Sequence, residues 1–320
     1  MTDVVALGEL LIDFAAKSMD SDGYPTMAAN PGGAPCNFLA AVNACGFRTG
    51  FLGKVGQDAF GHLLLNTLEK AGIETRGVVM DPQSFTTLAF VTFDAQGDRS
   101  YSFARKPGAD TLLRWEELDL SLINNAKVFH FGSLSLTDEP ARSTTRHAVA
   151  YAMGRGKLIS FDPNLRKPLW RTHEEAAEQI LWGLHQADVV KISNDEVDFL
   201  WGCSPAEGAE KLIADFGVRL AMVTCGPEGC LLKTPTASVY IPAPSVHTVD
   251  TTGAGDIFGG SAIARLLELQ KKPEELTEAD LRFIGSFAAT AASLSTQHIG
   301  AIPSIPKKQE VLERMARDVR

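Results

Sequence analysis

Short apolar runs alternate with longer amphipathic stretches along nearly the whole chain, and this alternation constrains the fold more than any other feature. VVALGEL opens the chain as a buried first strand, and CNFLAAVNAC (residues 36–45) is Ala-rich and helical in character. TGFLGKVG reads as a strand with a glycine exit. From Asp58 to Ala71, the residues Phe60, Leu63, Leu64, Leu68 and Ala71 recur at helical spacing, and Gly72 follows as a stop. The pattern resumes at residue 126. AKVFHFG, KLISFDPN, ADVVKIS, RLAMVTCG, GCLLKT and SVYIPAP read as strands, and residues 139–155, 173–186 and 205–216 read as helices. Two long helices follow, one from near Gly255 to about Gln270 and one from near Thr277 to about Ser295. Strands that alternate with helices build a mostly parallel sheet covered on both faces, so the expected class is α/β, doubly wound. Ligands in such sheets bind outside the carboxyl ends of the strands. Asp162 to Arg166, Ser193 to Glu196 and Thr224 to Gly229 fall at those ends.

One stretch breaks the rhythm. FTTLAFVTFDAQGDRSYSF (residues 85–103) is rich in Thr, Phe, Val and Tyr around DAQGD, and it reads as a hairpin. A hairpin set into a β-α-β succession predicts a separate small sheet, with the polar, turn-rich segment 14–30 supplying its other strands. The whole chain then forms a single domain, residues 1–320, with a subdomain built from about 14–30 and 85–105.

Composition narrows the function classes. A chain of 320 residues, 45% hydrophobic and 22% charged, buries a sizeable core without disulfides or a structural metal. Lys+Arg is 30 against 39 for Asp+Glu, and the net charge of −9 opposes general binding to nucleic acid or to an anionic membrane surface. No uncharged apolar stretch approaches the roughly 18 residues of a membrane span. The start, MTDVVALGELLIDF, lacks a basic region and is interrupted by Asp3 and Glu9, so it reads as a strand rather than a signal peptide. Five scattered cysteines without CxxC point to reduced thiols and a cytoplasmic location. The seven histidines form no HExxH and no Cys/His ligand pattern, which disfavours a zinc site.

The sharpest local signal is VDTTGAGDIFGGSAIARLLEL, residues 249–269. Small residues before an apolar helix let the backbone approach a ligand, and the first-turn N–H groups with the helix dipole make an anion site. Asp256 sits in that first turn. Beside a phosphate it could accept a proton from an attacking hydroxyl, and the bland alternative is a left-handed turn with a first-turn acid. The chain has no GxxxxGK[ST], no HRD or DFG, and only Gly8 where a GxGxxG would be needed, so P-loop, protein-kinase and dinucleotide folds are disfavoured. A second cluster, NPGGAPCNFLAAVNACGFRTGFLGKVGQDAFG (residues 30–61), puts Gly32 and Gly33 before a helix with Asn37 in its first turn. Such a turn presents backbone donors, and an amide that donates and accepts suits sugar hydroxyls; the alternative is a tight turn with Asn37 as a cap.

Together the two clusters resemble the two signatures of the ribokinase-like (PfkB) carbohydrate kinases: GG-x-x-x-N followed by GKVGQDAFG, then DTTGAGDIFGG, in matching order and separation. The resemblance spans essentially the whole chain, from GELLIDF to GAIPSIP, and PGGAPCN and FDPNLRKPLW are most similar to the fructokinases. It implies an ATP-dependent sugar phosphotransferase with Mg²⁺ and, as in many relatives, K⁺. It also implies a doubly wound domain and a small β-sheet lid that closes over the sugar and can form a homodimer contact. Carried over by position, Asp256 is the catalytic base, and the amides of Gly253, Ala254 and Gly255 form the anion hole for the transferring phosphate. Asp13, Gly32, Gly33 and Asn37 face the sugar.

The same resemblance places Ser193 and Glu196 in the region that supports Mg²⁺ and phosphate through waters, although Ser193 stands where Asn is usual. The bland reading of Glu196 is a first-turn helix acid. Thr224, Gly226, Gly229 and Thr252 would lie beside the nucleotide, with Ala288 and Ala292 at the adenine wall. Asp250, Thr252, Ser295, Gly300 and Ser304 would surround a monovalent cation. Arg105 and Arg166 would contact the substrate or the ATP phosphates. Guanidinium binds carboxylate bidentately, which keeps 2-keto-3-deoxygluconate as an alternative acceptor to D-fructose at O6, beside ribose or a nucleoside. A catalytically silent sugar-binding regulator is the alternative of a different class, and the intact GAGD argues against it.

Overall fold

Two sheets divide the strands of the computed structural model, which describes residues 2–93 and 99–318. The DAQGD turn of the hairpin, 94–98, lies outside the described residues. In chain order the first half comprises β1 (Val4–Leu7), β2 (Leu11–Met19), β3 (Pro25–Gly32), α1 (Ala34–Ala44), β4 (Thr49–Gly56), α2 (Ala59–Lys70), β5 (Ile73–Glu74), β6 (Val78–Asp81), β7 (Leu88–Phe93), β8 (Arg99–Ala104), α3 (Leu120–Asn125) and β9 (Val128–Gly132). The second half comprises α4 (Ala141–Gly154), β10 (Leu158–Asp162), α5 (His173–Gln186), β11 (Val189–Ser193), α6 (Asn194–Trp201), α7 (Pro205–Ala214), β12 (Leu220–Thr224), β13 (Gly229–Lys233), β14 (Ser238–Pro242), α8 (Ala254–Leu269), α9 (Glu278–Ser295) and α10 (Lys308–Asp318).

The large sheet runs β14-β13-β12-β11-β10-β9-β1-β4-β5, with β6 also paired to β4. Its pairings are parallel except for β13 and β14, which return antiparallel at one edge. The fold is therefore α/β with a mostly parallel sheet. Successive residues of a strand face opposite sides, and β1 shows both sides dry. Val4 and Ala6 join the apolar cluster under α1, α8 and α9 with Phe38, Phe258 and Ile284. Val5 and Leu7 join the opposite cluster with Val149, Ile180 and Leu212. Strands buried on both faces read as unbroken apolar runs, which is why they stand out in the sequence.

The small sheet has the order β3-β2-β7-β8. Strand β2 pairs antiparallel with β3 and parallel with β7, and β7 pairs antiparallel with β8. The opening segment departs from the single strand that its apolar run suggests. Strand β1 ends at Leu7, the chain turns at Gly8–Leu10, and β2 enters the other sheet. Hydropathy hides this break because Leu7, Leu10, Leu11 and Ile12 are all buried. What makes it is local: a Cβ on Gly8 would stand 2.6 Å from Pro35 Cγ, and Glu9 Oε1 accepts the Ala34 N–H at 2.9 Å. Asp58 ties a second crossing between the sheets. It caps α2 through the Phe60 and Gly61 N–H groups and accepts the Thr86 N–H at 2.8 Å. Among the described residues, no helix is long and apolar enough to cross a membrane.

Candidate active site

Helix α8 begins on Gly253, whose φ of 75° is left-handed. A Cβ there would also stand 2.5 Å from the Ala301 Cβ, so both conformation and space require glycine. No side chain caps the first turn, which leaves the dipole end for a ligand. Of the three amides expected to line an anion hole, that of Ala254 already donates to Thr251 O at 3.2 Å.

Asp256 follows in the first turn and is 8% exposed. Asn37 Nδ2 donates to its Oδ2 at 2.8 Å across 219 residues of sequence. Asn37 stands on α1, which starts from Gly33 at φ 122°, where a Cβ would meet Glu9 O at 2.5 Å. The other atom of the amide, Asn37 Oδ1, is buried without a hydrogen-bond partner. A buried acceptor of this kind is costly unless something donates to it, and a ligand hydroxyl fits. Burial raises the Asp256 pKa, while Lys191, the Asn37 hydrogen bond and Arg166 hold it back.

Lys191 appears in the sequence only as part of the strand ADVVKIS. Its Nζ lies 3.1 Å from Asp162 Oδ2 and 3.3 Å from Oδ1, and both side chains are buried. A Cβ on Gly255 would stand 2.8 Å from that Nζ. Gly255 is not among the glycines with positive φ, so it is glycine for the sake of space, and a cation fills the space. Burial opposes the ammonium, but Asp162, Glu196 and Asp256 outweigh it and raise its pKa. Burial also holds Asp162 above the usual carboxylate range even beside Lys191. The available signal was a lysine inside the apolar run VVKIS, since a lysine enters a covered sheet only when paired.

Asp13 lies on β2, in register with Asn30 on β3 and Ala89 on β7. A side chain on Gly32 would overlap Asp13 Oδ2, so that glycine makes room for the carboxylate. Burial pushes Asp13 up to about 6, with Arg166 opposing and Asp256 and Asp250 adding to the rise. Arg166 thus acts on both Asp13 and Asp256 from a half-buried position, which places it at the site rather than on a remote surface loop. Its loop is held from both ends. Asn164 takes a left-handed φ of 43° with its N–H on Asp162 Oδ1, and Leu165 N–H donates to Glu196 Oε1 at 2.7 Å. Glu196 Oε2 accepts the Ser193 N–H at 2.8 Å while Ser193 Oγ caps the Glu196 N–H, a reciprocal capping box that starts α6. With each oxygen on a backbone donor, Glu196 suits an outer, water-linked partner of a metal better than a direct ligand. Among the described residues, no group of three or more His, Cys, Asp and Glu side chains could hold a metal by itself.

Two residues expected at ligand contacts are buried within the protein. Arg105 is 5% exposed and engaged within the chain: Nε lies 2.8 Å and Nη2 2.6 Å from Asp110 Oδ2, and Nη1 donates to Thr137 Oγ1 at 2.8 Å. It ties the end of β8 to Asp110, Thr137 and Leu134 rather than presenting an unpaired charge. Ala288, expected at the adenine wall, is fully buried in the core between α9 and the sheet, whereas Ala292, one turn later, is half-buried at its edge.

Of the residues expected beside a nucleotide, Ser193 and Thr224 are register partners at the carboxyl ends of β11 and β12. Gly226 (φ 55°) and Gly229 (φ 128°) shape the following turn. Asp250 Oδ1 accepts from Thr252 N and Oγ1 at 2.9 and 2.7 Å, and Oδ2 accepts from Gly300 N at 2.9 Å. These three residues therefore meet in one loop cluster. Ser295 Oγ and Ser304 Oγ each donate to a backbone carbonyl of their own turn, Ala292 O and Ala301 O.

The geometry now accounts for both glycine-led blocks, one helix start delivering Asn37 and the other Asp256. The profile of the pfkB family carbohydrate kinases matches residues 1–308. The chain belongs to the pfkB family of carbohydrate kinases. It is 40% identical over 311 residues to a probable fructokinase-4 of Arabidopsis thaliana, covering 96% of this chain and 95% of that one. A fructokinase of Xylella fastidiosa solved with bound ATP superposes with a TM-score of 0.90 at 31% identity, covering 100% of both chains. A fructokinase double mutant of Vibrio cholerae, solved with fructose, ADP and potassium ion, gives 0.87 at 32% identity over 98% of each chain. In this pfkB kinase Asp13 on the small sheet and Asp256 beside the large sheet act on one another's electrostatics.

Proposed function

We propose that this pfkB kinase transfers the terminal phosphoryl group of ATP to O6 of D-fructose. One observation carries the reading: a buried Asp256 at an uncapped helix start, hydrogen-bonded by an Asn37 whose second amide atom has no partner. A sugar hydroxyl that donates to Asn37 Oδ1 completes that amide and leaves the neighbouring CH₂OH beside Asp256. Asp256 accepts the hydroxyl proton as the O6–phosphorus bond forms and the bond from phosphorus to the ADP oxygen breaks. Its raised pKa makes it a stronger base than a solvated carboxylate, and Lys191 with Asn37 opposes that rise. Gly253 and Gly255 bring the backbone of the α8 terminus against the developing phosphoryl charge, where one preorganised donor is typically worth about 2.7–4 kcal/mol. Asp13, on the facing sheet, receives the remaining sugar hydroxyls through charge-assisted hydrogen bonds.

Ser193, Thr224, Gly226, Gly229 and Thr252 border the nucleotide, and Ala292 the adenine. Mg²⁺ bound with the nucleotide would neutralise phosphate charge, and Glu196 is set to support its waters. The Asp250–Thr252–Gly300 cluster, flanked by Ser295 and Ser304, is the place for K⁺, in keeping with the Vibrio cholerae fructokinase. Fructose is favoured over 2-keto-3-deoxygluconate, ribose and nucleosides because the fructokinase likenesses run over nearly the whole chain. The retained Asp256 disfavours a silent sugar-binding regulator. The test is ADP release with fructose, 2-keto-3-deoxygluconate, ribose and adenosine, each with Mg²⁺ and with or without K⁺. Fructose should give the highest kcat/KM, and another acceptor about tenfold better would replace fructose in this scheme.

A further inference from the structure

The base of the lid carries a buried ion pair that the transfer chemistry does not use. Strand register places it. Asn30, Asp13, Ala89 and Phe103 form one row across the small sheet, so their side chains share a face. Arg105 follows two residues after Phe103, and Gly32, Leu11 and Thr87 stand two residues before or after their own members of that row. Two residues is the side-chain period of a strand, so Arg105 lies on the sugar-facing side of the lid, one step closer to the large domain than Asp13.

A cation at that place would attract a carboxylate. Here it meets one from its own chain. Asp110 Oδ2 holds Arg105 Nε and Nη2 at 2.8 and 2.6 Å, and Thr87 Oγ1 donates to Asp110 Oδ1 at 2.5 Å. Leu134 O and Thr137 Oγ1 take further Arg105 donors at 2.9 and 2.8 Å. The packing is specific to this pair. A side chain on Gly108 would overlap Thr87 Oγ1 and come within 2.8 Å of Asp110 Oδ1 and 3.0 Å of Arg105 Cγ. Glu9 and Asp138 add negative charge around the same guanidinium.

We infer that Asp110 is a specificity-determining residue: by occupying Arg105 it keeps this end of the acceptor pocket neutral, and so selects an uncharged ketose over a sugar acid. The inference rests on the fructokinase reading and deepens it. Neutralisation from within removes the gain a carboxylate-bearing acceptor would find at Arg105, and the neighbouring Asp138 then repels it.

The experiment compares kcat/KM for 2-keto-3-deoxygluconate and for fructose in the wild type, in Asp110→Asn, and in Asp110→Asn combined with Arg105→Gln. Asp110→Asn keeps the shape, with the amide oxygen facing Arg105 and the amide nitrogen donating to Thr87 Oγ1, but releases the guanidinium's charge. The acid-to-fructose ratio should rise about tenfold, and adding Arg105→Gln should return it to the wild-type value. A folded Asp110→Asn protein whose ratio stays within about threefold of wild type overturns the inference, as does a rise that survives Arg105→Gln. Should Asp110→Asn fail to fold, Asp110→Ser, which also removes the carboxylate, gives the same readout: a rise of about threefold or more supports the inference, and an unmoved ratio overturns it. A wild-type enzyme inactive on fructose overturns the fructokinase reading instead, so the two failures are distinct.

Discussion

Replacing Lys191 with Met should change the pH dependence of the enzyme before it changes anything else about the sugar site. Lys191 faces Asp162 at 3.1 Å in the buried layer beneath Gly255. At an effective dielectric of 20, two unit charges at that separation interact by about 5 kcal/mol. Removing one partner would strand the other, so Asp162 becomes protonated in the variant, and Lys191→Met with Asp162→Asn is the companion that removes both charges together. The groups around Asp256 are Lys191 and Arg166 on the positive side, and Glu196, Asp162 and Asp13 on the negative side, with the Cys36 thiol nearby. Lys191 is the strongest of the influences that hold Asp256 ionised. Loss of an adjacent opposite charge moves a carboxylate pKa by about 1–3 units, here upward. A base acts only when ionised, so the acid limb of kcat/KM should move to higher pH by up to about 1–3 units, the neutral Asp162 offsetting part of the rise, with activity recovering on the alkaline side. The assay is fructose phosphorylation from about pH 5 to 9 with both variants. A limb that stays in place while the plateau drops would refute the reasoning and leave Lys191 with a purely structural role.

Asp256→Asn should cut kcat by about 10²–10⁴-fold while calorimetric fructose binding stays near wild type; near-normal turnover would remove Asp256 from the role of base. Asp13→Ala should raise the fructose KM about tenfold or more and leave the ATP KM within about twofold, and an equal rise of both would make Asp13 a lid-hinge residue. Asp280 accepts from Lys271 Nζ and from Thr277 N and Oγ1, which hold its pKa down to about 2. A depressed carboxylate stabilises above its unfolded pKa and loses that contribution as pH falls through the folded one. Asp280→Asn should therefore lower Tm at neutral pH, with the difference from wild type closing as pH falls from about 4 to 2; a difference independent of pH would point to lost packing instead.

Legibility in the sequence followed from how each residue earns its place physically. DTTGAGD and PGGAPCN are local devices, glycines at φ 75° and 122° ahead of helices, and so they show in a short window. The parallel strands were legible because both faces are buried, and the hairpin because its residues favour strands. The break at Gly8 was not legible, since apolar residues flank it on both sides and Pro35, which presses on it, is distant in sequence. The Lys191–Asp162 pair depends on which strands become neighbours, so no short window contains it; the Asp110 clasp on Arg105 spans only five residues, but its spacing alone does not show that the two side chains meet in a buried place. Helix α6 was missed because its capping box, Ser193 with Glu196, resembles the site motif that overlaps it. The depth of Ala288 was hidden for a similar reason: on a small-residue helix, only the direction a residue faces separates the fully buried Ala288 from the half-buried Ala292.

Transfer of phosphate to O6 of fructose is the central claim, and the product itself tests it. Uniformly ¹³C-labelled D-fructose, ATP and Mg²⁺ are incubated with the enzyme, and the product is read by ¹³C–³¹P coupling. The account predicts coupling on C6 and C5, absent when Asp256→Asn replaces the wild-type enzyme. Coupling on C1 and C2, or ADP release without any phosphate ester on the sugar, would contradict it.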